Sequence, residues 1–137
     1  MNNETEQYRC LFDLVGNPRA LWDARAEIPG YGSVMSLGRS EQICQEETEL
    51  TKAKLFSELE ELSNKDILEI GTGIGRFTGD LAERAANVVS VDISRKMLNR
   101  AMATKRDDIT FIQAAGQNLP LKAGFLISYL KVQCLYI

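Results

Sequence analysis

Glu69, Gly71, Gly73, Gly75 and Asp92 have the types and spacing that ligand chemistry asks for. The three glycines stand at alternate positions after Ile67, Leu68 and Ile70, a short run with the β-branched content of a buried parallel strand. A loop so rich in glycine can take positive φ and lets a ligand approach the backbone with no Cβ in the way. Ile74, Phe77, Leu81 and Ala85 then recur at helical spacing. The loop therefore joins a strand end to a helix N-terminus, where nucleotide-like ligands settle in open α/β sheets. Asp92 ends a second strand, and an acidic residue at that place accepts hydrogen bonds from ribose hydroxyls. The plainer readings are an ordinary strand-to-helix turn for the glycines and a turn-opening Asp.

Spacing separates two nucleotide classes. In the dinucleotide fingerprint G-x-G-x-x-G the third glycine would fall at Arg76. Here it is Gly75, and Glu69 stands two places before Gly71. Acidic-x-Gly-x-Gly-x-Gly resembles motif I of the class I S-adenosylmethionine-dependent methyltransferases, in particular the small-molecule type 11-like members. The resemblance implies a Rossmann-like parallel sheet and S-adenosylmethionine as cofactor. It assigns Glu69, Gly71, Thr72, Gly73 and Gly75 to the methionine side, with Glu69 helping to hold the ammonium directly or through water. It assigns Asp92 to the ribose and Ile93 to the adenine face. Phe111 to Pro120 is similar to the family segment that ends strand three. Many members carry an acidic residue there for the adenine amino group; that position is Ala115 here, with a backbone group or Gln117 as the substitute contact. The resemblance also implies that the helix holding Trp22, Asp23 and Ala26, with Tyr31 after it, forms a lid over the site; core packing is the other reading of Trp22 and Tyr31. An NAD(P)-dependent dehydrogenase is a distant alternative, disfavoured by the early third glycine and by Arg76.

The chain is 45% hydrophobic and 26% charged, with a formal net charge of −3, values of a soluble globular chain with one modest core. Such a balance supplies no global attraction to nucleic acid or to an anionic membrane. No apolar run approaches the roughly 18 residues of a membrane span. The opening from Met1 to Gln7 is polar, expected to be frayed and not a leader. Cys10, Cys44 and Cys134 are far apart and odd in number, which predicts reduced thiols of a cytoplasmic protein and no zinc site. The absence of histidine removes the commonest general base and metal ligand.

The elements that must position the site follow from periodicity. Helices are predicted over Leu21 to Ala26, Glu41 to Leu62, Arg76 to Ala86 and Arg95 to Ala103, the last capped by Ser94. In the long helix Ile43, Leu50, Phe56, Leu59 and Leu62 form the expected buried stripe, and Glu46, Glu47 and Glu49 a solvated face. Strands are predicted at Asp66 to Ile70, Val88 to Ile93 and Ile109 to Gln113. This βαβαβ order implies a parallel sheet with right-handed crossovers. Residues 1–40 read as a helical lid segment and 41–137 as a partial S-adenosylmethionine-binding domain.

The resemblance covers Asp66 to Pro120. The family sheet runs 3-2-1-4-5-7-6, and this chain carries the 3-2-1 half. Leu121 to Ile127 begins the segment before strand four but lacks its Asp. The apolar run Phe125 to Ile137 reads as a substitute fourth strand, as a helix over the same surface, or as a non-native tail of a truncated or frame-disrupted gene. An uncovered first strand would leave a sheet edge open to self-association. The functional expectation is an incomplete methyltransferase acting on an unknown small molecule. Its methyl group arrives activated, so proximity and orientation carry the catalysis and no catalytic residue is assigned. An inactive cofactor-binding fragment is the alternative.

Overall fold

The computed structural model describes residues 11, 14–59, 61–104, 106–121 and 128–131. Met1 to Gln7, Cys10, Cys134 and the tail outside 128–131 lie beyond the described residues. In chain order the elements are α1 (Pro18–Arg25), α2 (Glu41–Glu58), β1 (Asp66–Ile70), α3 (Thr78–Ala82), β2 (Asn87–Asp92), α4 (Arg95–Ala101), β3 (Ile109–Gln113) and β4 (Ser128–Lys131). The four strands form one parallel sheet in the order β3-β2-β1-β4. This is the 3-2-1 half with a fourth strand on the far side of β1. The strand reading of the tail therefore holds for Ser128–Lys131, whose register sets Ile67 beside Ser128 and Ile70 beside Lys131. The edge of β1 is paired, and the outer strands of the described sheet are β3 and β4.

Local chemistry explains most boundaries. Asn17 caps α1 by accepting from the Ala20 N–H, with Pro18 in the first turn. Ser40 caps α2 through the Ile43 N–H, and Ser94 caps α4 through the Met97 N–H. Three helices are shorter than periodicity predicts. The segment from Gly73 to Phe77 is turn, because the positive φ of Gly73 and Gly75 is incompatible with a right-handed helix; α3 starts only at Thr78. After α4 the chain tightens into a 3-10 turn at Met102–Thr104. At the end of α2, Leu59 is already extended.

The stripe expected on α2 is also corrected. Ile43 and Leu50 are 47% and 72% exposed, whereas Cys44 and Thr48 are fully buried. The helix faces the domain through Cys44, Thr48 and the stem of Lys52, then Leu55, Phe56 and Leu59. Polar partners override hydrophobicity here. The Thr48 hydroxyl donates to the Cys44 carbonyl at 2.8 Å and accepts from Arg76 at 3.0 Å, while Lys52 pairs with Asp80 at 3.0 Å. Glu46 and Glu49 stay on the solvent side, and Glu47 pairs with Arg39.

Alternation along the strands divides the core. Ile67, Val88 and Ile109 meet Phe77, Leu81, Ala82 and the C-terminal end of α2 on one face. Leu68, Val89 and Val91 meet Ile112, Leu119 and Leu121 on the other. A third cluster joins Trp22, Ala26, Val34 and Met35 of the N-terminal segment to Ile74 and Met97. No helix among the described residues is long and apolar enough to cross a membrane.

Candidate cofactor site

A cavity of ≈ 250 Å³ opens at the carboxyl ends of β1, β2 and β3, somewhat below the ~300–1,000 Å³ common for small-molecule sites. Ile70, Gly71 and Gly73 bring the end of β1 to it, and Val91, Asp92 and Ile93 the end of β2. Residues 114–117 follow β3, and Pro18, Trp22 and Val34 close it from the N-terminal side. Among the described residues that line it, Asp92 is the one charged side chain.

Asp92 is 8% exposed and ties the loop to its own strand. Its Oδ2 accepts from the Gly73 N–H at 2.8 Å, and its Oδ1 from the Ser94 N–H at 2.8 Å. A carboxylate offers about four lone-pair positions, so each oxygen keeps acceptor capacity towards the cavity. Burial raises the carboxyl above its ordinary pKa. The Ser94 and Gly73 N–H groups pull it back down, and the negative charge of Asp23 raises it further.

The glycines divide the work. Gly73 has φ +56°, and a Cβ there would stand 2.9 Å from Val34 Cγ1, so the loop touches the N-terminal segment where a side chain would not fit. A side chain at Gly73 therefore meets Val34 first, before any ligand. Gly75 has φ +83° and does not line the cavity; its Cβ would press on Ala101 at 3.1 Å, so it lets α4 approach the loop. Thr72 is buried, and its hydroxyl donates to the Val91 carbonyl at 3.3 Å.

Glu69 lies behind the cavity wall. It is fully buried and does not line the cavity. Register sets it beside Ser90, and its Oε2 accepts from Ser90 Oγ at 2.8 Å and from Thr78 Oγ1 at 2.7 Å. The carboxyl is thus drawn between β2 and the start of α3. Its Oε1 is buried without a hydrogen-bond partner among the described residues. Burial is the largest influence on this carboxyl and raises its pKa; the Thr78 and Ser90 hydroxyls counteract.

The structure brings together Gly71, Gly73, Asp92, Ile93 and Ala115, and leaves Glu69, Thr72 and Gly75 one layer behind. Gln117 lines the cavity near Ala115. Trp22 packs with the cluster of Ala26, Val34 and Met97 and lines the cavity; Tyr31 does not line it. Pro18, Val34 and Gly116 line it too and carry no motif that would mark them in the sequence.

A parallel Rossmann-like sheet with a glycine loop and an acidic residue at the end of its second strand defines a nucleotide-cofactor protein. Residues 67–134 match the family described as methyltransferase domain. Phosphoethanolamine N-methyltransferase 1 of Caenorhabditis elegans is 37% identical over 76 residues, which are 56% of this chain and 15% of that protein. The solved structure of Haemonchus contortus phosphoethanolamine N-methyltransferase 1, in complex with phosphoethanolamine and S-adenosylhomocysteine, is 25% identical. It superposes on 96% of this chain and 26% of its own, with a TM-score of 0.72. An S-adenosylmethionine-dependent methyltransferase from Mesorhizobium loti is 31% identical over 58% of this chain and 38% of its own, with a TM-score of 0.53. The chain belongs to the S-adenosylmethionine-dependent methyltransferase family. It spans 15–19% of the first curated relatives it matches. Nothing in the comparisons favours the dehydrogenase alternative.

Proposed function

We propose that the cavity binds S-adenosylmethionine and that the chain is the cofactor-binding part of a small-molecule N-methyltransferase. One observation carries the reading: a cavity edged by glycine backbone whose one charged side chain is the acceptor Asp92, with no Lys or Arg among its described lining. The third glycine at 75, with Arg76 where a pyrophosphate-binding fingerprint needs glycine, speaks against a dinucleotide, whereas a ribose diol suits the Asp92 carboxylate. Asp92 would hold the ribose hydroxyls, Ile93 the adenine face, Ala115 and Gln117 the base edge, and the backbone of Gly71 and Gly73 the amino-acid side. Glu69, Thr72 and Gly75 would act by shaping that loop. When bound, the cofactor supplies a methyl group activated on sulfur for in-line displacement. The part played by this chain is orientation, preorganised by the Asp92 bonds to Gly73 and Ser94.

The phosphoethanolamine N-methyltransferases among the relatives favour a phosphorylated amino alcohol as the methyl acceptor. Residues 1–40 would serve as the cover of the site and 41–137 as the cofactor-binding domain. Calorimetric titration of the full chain with S-adenosylhomocysteine tests the binding, with Gly73→Val as the control. Saturable binding that the variant loses is expected, and equal affinity in both would remove the loop from the site. Methyl transfer from S-adenosylmethionine to phosphoethanolamine tests the acceptor. Binding without transfer would leave the cofactor-binding fragment as the function.

A further inference from the structure

The resemblance to methyltransferases casts the N-terminal segment as a lid over the site. The side chains around it bear on whether such a lid moves. Between α1 and α2 the chain from Ala26 to Met35 holds only a short 3-10 turn, Gly30–Ser33, and its carbonyls go largely to two arginines. Arg100, on α4, donates from Nη1 to the carbonyls of Ala26 at 3.1 Å and Ile28 at 2.9 Å, and from Nη2 to that of Gly30 at 2.9 Å. Arg25 donates from Nε to the Ser33 carbonyl at 2.9 Å, and from Nη2 to those of Gly32 at 3.3 Å and Met35. Six carbonyls of one irregular segment thus meet two guanidiniums whose fork geometry is fixed.

Other ties run the same way. Ser94 Oγ donates to Asp23 Oδ1 at 2.5 Å, Lys96 pairs with Glu27, and the Glu41 carboxylate accepts the Tyr31 N–H at 2.9 Å. The segment so held presents Val34 to Gly73, and Trp22, on α1 just before it, packs with the cluster of Ala26, Val34 and Met97. We infer that Arg100 and Arg25 are positioning residues that make the N-terminal segment a fixed wall of the cofactor cavity, built before the ligand arrives. This inference rests on the proposed cofactor site for its consequence, not for its structural content. A wall ordered in advance spares the ligand the cost of ordering it.

Amide hydrogen exchange on the full chain, with and without S-adenosylhomocysteine, tests the wall itself. The amides of Ala26, Glu27, Ile28, Tyr31 and Val34 each have an internal acceptor. They are expected to be protected without ligand and to change little with it. Exchange at unprotected rates until ligand is added would mean a lid, and the inference would fall. Arg100→Ala should abolish that protection while β1 and β2 keep theirs, and should weaken S-adenosylhomocysteine binding at least about tenfold, with Arg100→Lys in between. Wild-type affinity in Arg100→Ala would overturn the positioning role. Should Arg100→Ala lose the strands as well, the wild-type exchange with and without ligand decides. If the wild-type chain does not bind S-adenosylhomocysteine, the cofactor reading fails while the exchange pattern still decides between wall and lid.

Discussion

Replacing Asp92 separates the two jobs that the structure gives it. In Asp92→Ala the N–H groups of Gly73 and Ser94 each lose a charged acceptor at 2.8 Å. Hydrogen bonds to charged groups contribute about 1.5–3 kcal/mol apiece. Two effects reduce the sum: the variant no longer buries a carboxylate whose pKa burial has raised, and water from the adjoining cavity can reach the freed groups. A net loss of about 2 kcal/mol in folding stability is expected. Binding should suffer separately, because the ribose would lose two charge-assisted acceptors. About 2–3 kcal/mol, or roughly 30- to 150-fold in affinity for S-adenosylhomocysteine, is the expected cost. Asp92→Asn keeps one acceptor oxygen but turns an amide donor towards an N–H, so it should fall between alanine and wild type on both scales. Urea unfolding and calorimetry at one fixed salt concentration measure the two effects. Unchanged affinity in the alanine variant would refute the ribose assignment and leave Asp92 a loop clamp; unchanged stability would refute the clamp.

Gly75→Ala should destabilise the fold by about 1–3 kcal/mol, since it combines a left-handed backbone with a Cβ against the Ala101 Cα at 3.2 Å, and urea unfolding reads it directly. Glu69 makes a prediction about pH. Its folded pKa is raised, so the native state holds the proton more tightly than the unfolded chain, and stability from this group falls as pH climbs from the ordinary value of 4.5 through the raised one. Glu69→Gln should remove that decline and leave stability at neutral pH equal or higher, as thermal melts between pH 4.5 and 8 would report; a steeper decline in the variant would contradict the burial argument. Truncation after Leu121 removes β4 and opens the edge of β1, so more binding of an apolar-surface dye and a lower thermal midpoint are expected. An unchanged melt would mean that β4 contributes nothing to the sheet.

Periodicity and spacing were enough to read the parallel βαβαβ unit, the glycine loop and Asp92 at the end of β2; the family came from the resemblance those residues carry. These signals are local: alternating burial, a run of glycines, and a cap such as Ser94 are written within a few neighbouring residues. Helix lengths were read less well, because the positive φ of Gly73 and Gly75 interrupts a pattern that Ile74 and Phe77 alone would extend. On α2 the apolar count pointed to Ile43 and Leu50. The buried face follows instead from Thr48 meeting Arg76 and Lys52 meeting Asp80, partners 28 residues apart in each pair. The roles of the motif residues were likewise decided in three dimensions. Strand register sets Glu69 beside Ser90, behind the cavity, and Ala101 comes to rest against Gly75. Pro18, Val34 and the arginine-held segment reach the cavity only through contacts that cross about half the chain, as when Arg100 meets Gly30. A motif records what the backbone must do locally, while the identity of the atoms that face a ligand depends on which distant surfaces close around it.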